Sequence, residues 1–108
     1  MLESKRTFLS ICLLALASFP MQQGAVAADA SHGKAIADRW CRSCHVVGPQ
    51  QRNAPTDLAP SFASIASRPD FDAARLALLL LAPHPNMPNL SLSRSEVADL
   101  ADYIKTLK

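Results

Sequence analysis

The run Cys41-Arg42-Ser43-Cys44-His45 constrains the fold of this chain more than any other feature of its sequence. Two thiols three positions apart fall on one side of a helical turn, and an imidazole follows the second thiol directly. This C-x-x-C-H pattern is typical of covalent haem attachment, because two thiols can add to the two vinyl groups of a haem and the histidine can ligate its iron. We therefore expect Cys41 and Cys44 to hold one haem c and His45 to be an axial ligand.

Three other interpretations of this pattern are weaker. A thioredoxin-like dithiol belongs beside a βαβ pattern, whereas the sequence indicates helices and proline-rich loops. A zinc site needs about four ligands, and beyond the motif only His32 or His84 could complete the set. An isolated disulfide across so short a loop would remove little chain entropy and stabilise little.

The first 28 residues have the layout of a secretory leader. Lys5 and Arg6 precede an apolar run over residues 8–19, which is shorter than the roughly 20 residues that a membrane-spanning helix needs. The small residues at 25–28 predict cleavage after Ala27 or Ala28. The sequence thus predicts a signal peptide at 1–28, a domain at 29–108 and export to the bacterial periplasm.

Two alternatives for the leader are an uncleaved anchor and a lipoprotein signal. The lipoprotein alternative would use Cys12, but Ile11 stands where lipid-modified leaders carry a small residue, and Cys12 lies early in the apolar run. We expect no stable membrane insertion after cleavage.

The charge balance argues against nucleic acid as a partner. The chain has 108 residues and a net charge of +2, and removal of the leader leaves nine basic and eight acidic side chains with no clustered basic face. A domain of about 80 residues buries a modest share of its surface, so its core alone is marginal. A large covalent cofactor would add to that core.

Helical periodicity predicts an all-α fold with three main helices. The first runs over 31–44 with Ser31 as N-cap, and the second over 70–82, where Pro83 prevents continuation. The third begins with a capping box of Ser93 and Glu96 and ends with the chain. A short helical turn is expected at 62–66, within a long loop over 46–68. Four consecutive leucines at 78–81 predict burial on most sides of the second helix.

Met87 is the candidate for the sixth iron ligand, because the other two methionines lie in the leader. Pro88 follows it and disfavours helical geometry at Met87, so the loop over 83–92 would hold the thioether rigidly. Gap-filling in the core is the ordinary role of a lone methionine. His84 is the competing ligand, and bis-histidine ligation would lower the reduction potential.

From Gly33 to Lys105 the chain resembles class I cytochromes c. Gly33 lies eight positions before the first haem cysteine, and Leu100 with Tyr103 matches the C-terminal L-x-x-Y pair of that family. The resemblance implies the cytochrome c fold, with three main helices around one covalently bound haem, long loops, and a crossing of the first and last helices.

Two further positions bear on this resemblance. Family members carry a proline whose carbonyl accepts a hydrogen bond from the Nδ1 of the proximal histidine, and Pro60 in Ala59-Pro60-Ser61-Phe62 matches it. The family's aromatic residue four positions before the first cysteine is replaced by Ala37. We expect Trp40 to fill that volume instead.

With histidine on one face and methionine on the other, the iron has no open position for a substrate. We therefore expect a one-electron carrier rather than an enzyme, monomeric and docking transiently with a reductase or dehydrogenase and an oxidase. The alternatives are a haem subunit dedicated to one dehydrogenase or oxidase complex, and a haem-based ligand sensor.

The expected haem lining is apolar: Val46, Phe62, Ile65, Leu76, Leu79 and Leu80. The basic side chains that could rim a docking surface are Lys34, Arg42, Arg52, Lys105 and Lys108.

Overall fold

The computed structural model describes residues 24, 26–52, 55, 59–82 and 86–108. Within these ranges the chain forms helices and no β-strand, which confirms the predicted all-α class. The elements in chain order are α1 (Ala30–Ile36), a π-helical turn (Ala37–Cys41), α2 (Phe62–Ala66), α3 (Ala73–Leu81) and α4 (Arg94–Lys105). No helix in this described part is long and apolar enough to cross a membrane. The apolar run of the predicted leader and His84 lie outside the described residues.

The capping box predicted for the last helix is present. Ser93 Oγ accepts a hydrogen bond from the backbone N–H of Glu96 at 3.2 Å, and Glu96 Oε2 accepts one from the backbone N–H of Ser93 at 2.7 Å. These two bonds satisfy donors that a helix N-terminus leaves free. They fix the start of α4 at Arg94.

The first helix is capped by Asp29 and not by Ser31, so this prediction was wrong. The Asp29 carboxylate accepts from the backbone N–H groups of Ser31 at 2.8 Å and His32 at 3.2 Å. A charged acceptor also suits the positive end of the helix dipole, which favours Asp29 over a neutral hydroxyl. The helix therefore begins at Ala30, two residues earlier than a Ser31 cap allows.

A π-helical turn leads into the C-x-x-C-H motif. The backbone N–H of Arg42 bonds to the carbonyl of Ala37 at 3.1 Å, five residues back, and the helix ends at Cys41 instead of continuing to Cys44 as predicted. Ala37 is completely buried, whereas Trp40 is 49% exposed. The expectation that Trp40 fills the volume of the missing aromatic residue was therefore wrong.

The crossing of α1 with α4 forms the centre of the core. Gly33 makes it possible, because a Cβ at this position would overlap the backbone carbonyl of Asp99. Apolar side chains of both helices close over this contact: Ile36, Ala37, Val97, Leu100, Ala101 and Ile104. The crossing that the family resemblance implied is thus present.

Helix α3 is covered by protein on one side only. Leu76 faces the core and is buried, while Leu78 is 70% exposed and Leu81 is 79% exposed. The prediction of burial on most sides was wrong as far as the protein's own atoms are concerned. Leu80 packs partly against the core, so Leu78, Leu79 and Leu81 form an exposed apolar surface.

Candidate haem site

The imidazole of His45 is oriented by the backbone of Pro60. Nδ1 lies 2.7 Å from the Pro60 carbonyl oxygen. Because a carbonyl can only accept, Nδ1 holds the proton and donates it, and Nε2 keeps its lone pair. No other described residue hydrogen-bonds this ring. The hydrogen bond therefore selects the tautomer that a metal-binding imidazole requires.

The segment after the motif is held against the start of α2. The backbone N–H of Phe62 donates to the carbonyl of Val46 at 2.9 Å, and the Phe62 ring lies 5.5 Å from the His45 ring between centroids, at an angle of 52°. Phe62 itself is buried. The His45 ring is thus supported by an apolar neighbour as well as by the Pro60 carbonyl.

Gln51 holds the same segment from the other side, a role that sequence analysis did not predict. Its Oε1 accepts from the backbone N–H of Val47 at 3.1 Å, and its Nε2 donates to the carbonyl of His45 at 3.0 Å. A glutamine in a polar loop has no periodicity that would single it out. Its amide offers a donor and an acceptor at once, which lets one side chain close the loop.

A buried hydroxyl completes this frame. Tyr103 on α4 donates from its Oη to the carbonyl of Val47 at 2.6 Å. Burial raises the pKa of Tyr103, so the phenol stays a neutral donor. The loop that carries His45 is thereby fixed to the last helix.

The two cysteines differ in exposure. Cys41 is buried, and burial raises the pKa of its thiol to about 11, while Cys44 is exposed, and both are free thiols. A tight turn keeps the two residues close together: the backbone N–H of Cys44 donates to the carbonyl of Cys41 at 3.1 Å. In the described part of the chain no three His, Cys, Asp or Glu side chains gather as metal ligands would.

Met87 lies in the connection between α3 and α4 and is half-buried. The preceding residue, Asn86, has a φ of 68°, in the left-handed region that few residues other than glycine adopt readily. Pro88 restricts the chain on the other side. Nothing in the described residues links the thioether to His45 directly, so the two are positioned by separate segments.

A concavity of about 400 Å³ beside α3 is lined by apolar side chains together with Arg68, Asp70 and Arg75. Three members of the predicted haem lining, Ile65, Leu76 and Leu79, share it, while Val46 lines a second concavity of about 340 Å³ that also includes Leu107. The two thiols and an imidazole with its Nε2 lone pair free are donors that fit a haem c, and the exposed leucines of α3 offer apolar surface beside them.

The predicted basic rim is partly neutralised. Lys34 pairs with Asp38 at 2.5 Å, and Lys105 lies 3.4 Å from Asp102. Arg42, Arg52 and Lys108 are exposed. The described surface therefore offers a mixed pattern of charge instead of a uniformly basic one.

Residues 30–108 match the family described as Cytochrome c. The chain belongs to this family, and the helical fold and the C-x-x-C-H site define it as a class I c-type cytochrome, a haem c protein that carries electrons. It is 54% identical to cytochrome c-552 of Bradyrhizobium diazoefficiens over 98 residues, which cover 91% of this chain and 92% of the relative. No solved structure matches the chain significantly.

Proposed function

We propose that this protein is a diffusible one-electron carrier of the bacterial periplasm, with haem bound through Cys41 and Cys44 and its iron ligated by His45 and Met87. The observation that carries the proposal is the hydrogen bond from His45 Nδ1 to the Pro60 carbonyl at 2.7 Å. A bond of this kind fixes the imidazole plane and raises the basicity of Nε2.

When bound, the haem supplies a reversible one-electron couple at its iron. Cys41 and Cys44 hold it covalently, so it stays with the protein in both oxidation states. Met87 as the second ligand raises the reduction potential relative to bis-histidine ligation. Ligation by both His45 and Met87 would leave the iron no site for a substrate, which favours electron transfer over catalysis.

The surroundings of His45 favour fast transfer because they resist movement. The Gln51 amide, the Phe62 ring and the Tyr103 hydroxyl fix the segment that carries the ligand. A ligand held in one geometry keeps the reorganisation between ferrous and ferric states small.

Export is supported by the leader and by the relative. The basic pair, the short apolar run and the small residues at 25–28 have the order of a signal peptide. The 98 aligned residues of cytochrome c-552 extend into this segment, because the domain alone is shorter than the alignment. Transient docking with redox proteins as a monomer follows from the role of a carrier.

Redox spectroscopy of the exported protein tests the proposal. We expect a methionine-sulfur charge-transfer band in the ferric form and no binding of carbon monoxide to the ferrous form. A missing band with ready carbon monoxide binding would favour the ligand-sensor alternative. Co-purification with one large subunit would favour a dedicated subunit over a free carrier.

Covalent attachment is tested separately. The double variant Cys41→Ala, Cys44→Ala should lose haem staining on a denaturing gel, whereas Cys12→Ala, in the predicted leader, should retain it. Haem stain that persists in the double variant would refute the attachment.

A further inference from the structure

We infer that the signal peptide is cleaved between Ala28 and Asp29, and that the α-ammonium group released on Asp29 forms an ion pair with Asp99 of α4. The inference rests on the proposed export. It goes beyond that proposal by assigning the cleaved bond and by giving the new terminus a structural role.

The backbone nitrogen of Asp29 already contacts Asp99. Its N–H donates to Asp99 Oδ1 at 2.7 Å. In the cleavage, water supplies its oxygen to the Ala28 carboxylate and both hydrogens to the Asp29 nitrogen, which becomes an ammonium. The donor atom thus keeps its partner and gains a positive charge, and a charge-assisted bond is stronger than the neutral bond it replaces.

Asp99 is a side chain that needs such a partner. It is the one charged residue buried in the described part of the chain, 9% exposed, and its Oδ2 lies 2.7 Å from His32 Nδ1. A buried carboxylate is costly unless it is paired and hydrogen-bonded. His32 is one partner, and its hydrogen bond to Asp99 raises the pKa of the imidazole. The terminal ammonium would supply a second positive charge, at Oδ1, where the Asp29 nitrogen already donates.

The charges around this position favour a cation. Asp29, the N-cap of α1, and His32 lie near Asp99, and Glu96 of α4 interacts electrostatically with both His32 and Asp99. Three carboxylates therefore surround one histidine. The positive end of the α1 dipole and a protonated His32 oppose an ammonium here, but the three nearby carboxylates outweigh both.

The peptide bond between Ala28 and Asp29 is also accessible to a protease. Val26, Ala27 and Ala28 are exposed and have no regular secondary structure, and Val26 is 94% exposed. Cleavage one bond earlier, after Ala27, would put the ammonium on Ala28, which has no hydrogen-bond partner among the described residues. Only cleavage after Ala28 puts the charge on the atom that bonds Asp99.

Intact mass and N-terminal sequencing of the exported holoprotein test the cleaved bond. We expect a chain that begins at Asp29. A chain beginning at Ala28 or elsewhere in the leader region would overturn this inference and leave the proposed export standing. An uncleaved chain would overturn both the inference and the cleaved leader of the proposed function.

The ion pair is tested by unfolding in urea as a function of pH. Pairing raises the pKa of the α-amino group above its ordinary value of about 7.7 to 8.0. The stabilisation by the protonated α-amino group is present below its ordinary pKa and is lost as the pH rises through its raised pKa. We expect the urea concentration at the midpoint of unfolding of the mature holoprotein to decrease as the pH rises from about 7.5 to about 9.5.

Matched variants isolate the terminal group. One additional alanine before Asp29, with its N-terminus verified by mass, should flatten this fall, and Asp99→Asn should do the same if it folds. His32→Asn should retain the fall, because the amine is still opposite Asp99. An identical pH profile for the mature chain and the chain with the added alanine would refute the ion pair.

Discussion

Gly33 of α1 lies directly against the backbone carbonyl of Asp99 in α4, with no room for a Cβ between them. In an exposed helix the change Gly→Ala stabilises by about 1 kcal/mol. Here we expect Gly33→Ala to destabilise by about 3 kcal/mol or more, because the helices must separate. Ala35→Gly, exposed on the same helix, serves as the control and should cost about 1 kcal/mol. A denaturation curve in which Gly33→Ala costs no more than this control would contradict the close crossing.

Tyr103→Phe should lower the free energy of unfolding by about 1 to 3 kcal/mol, since it leaves the buried carbonyl of Val47 without its donor. The change keeps the ring and removes only the hydroxyl that donates at 2.6 Å. Lys105→Ala is the control, because its exposed ion pair is worth little, and we expect a change within about 0.5 kcal/mol. Urea unfolding measures both free energies, provided that the slope of the free energy against urea concentration is unchanged. Equal effects of the two changes would show that the hydroxyl contributes nothing.

Met87→Ala should lower the reduction potential and open the iron to carbon monoxide, while covalent haem is retained. The reason is that a methionine ligand raises the potential of a His-ligated haem. His84→Ala is the matched variant and should leave the potential unchanged. Redox titration of both proteins decides between the two ligands, and a lower potential in His84→Ala alone would assign the position to His84.

Asn86→Val should weaken methionine ligation, because a β-branched residue disfavours the left-handed conformation that Asn86 adopts at φ 68°. The cost of that conformation is about 1 to 2 kcal/mol. Asn86→Gly should preserve ligation, since glycine adopts positive φ freely. The urea concentration at which the methionine-sulfur band disappears measures the effect. Equal midpoints for valine and glycine would argue that the backbone at Asn86 does not hold Met87.

The His32–Asp99 pair should make stability depend on pH. The hydrogen bond to Asp99 raises the pKa of His32, and the same bond lowers the pKa of Asp99. The histidine contribution is therefore complete below about pH 6.5 and is lost as the pH rises through the raised value, while the aspartate contribution is lost as the pH falls below about 3.9. His32→Asn should remove the loss that begins near neutral pH. Parallel pH profiles of the two proteins across that range would refute the coupling.

The parts of the structure that depend on residues close together in the sequence could be predicted. The capping box at Ser93 and Glu96 and the short helix Phe62–Ala66 depend on neighbouring residues and are present as expected. Membership of the cytochrome c family also followed from the spacing of Gly33, Cys41 and Cys44.

The parts that depend on distant or irregular contacts could not be predicted. The π-helical turn shifts Trp40 outward, and no local propensity distinguishes it from an ordinary helix. Asp29, and not Ser31, is the N-cap, and its backbone nitrogen also donates a hydrogen bond to Asp99, 70 positions away. The exposure of Leu78 and Leu81 depends on what packs against α3, which the leucines themselves do not encode.

Two hydrogen bonds that join α4 to distant parts of the chain also set an order of events. Val47 and Tyr103 are separated by 56 positions, and Asp29 and Asp99 by 70, so neither contact can form before the final residues of the chain are free. Long-range closures of this kind come late in folding, because the intervening chain must first be confined. The crossing of α1 with α4 depends on the same two distant parts of the chain. We therefore expect α4 to dock late, after the helices between them have formed.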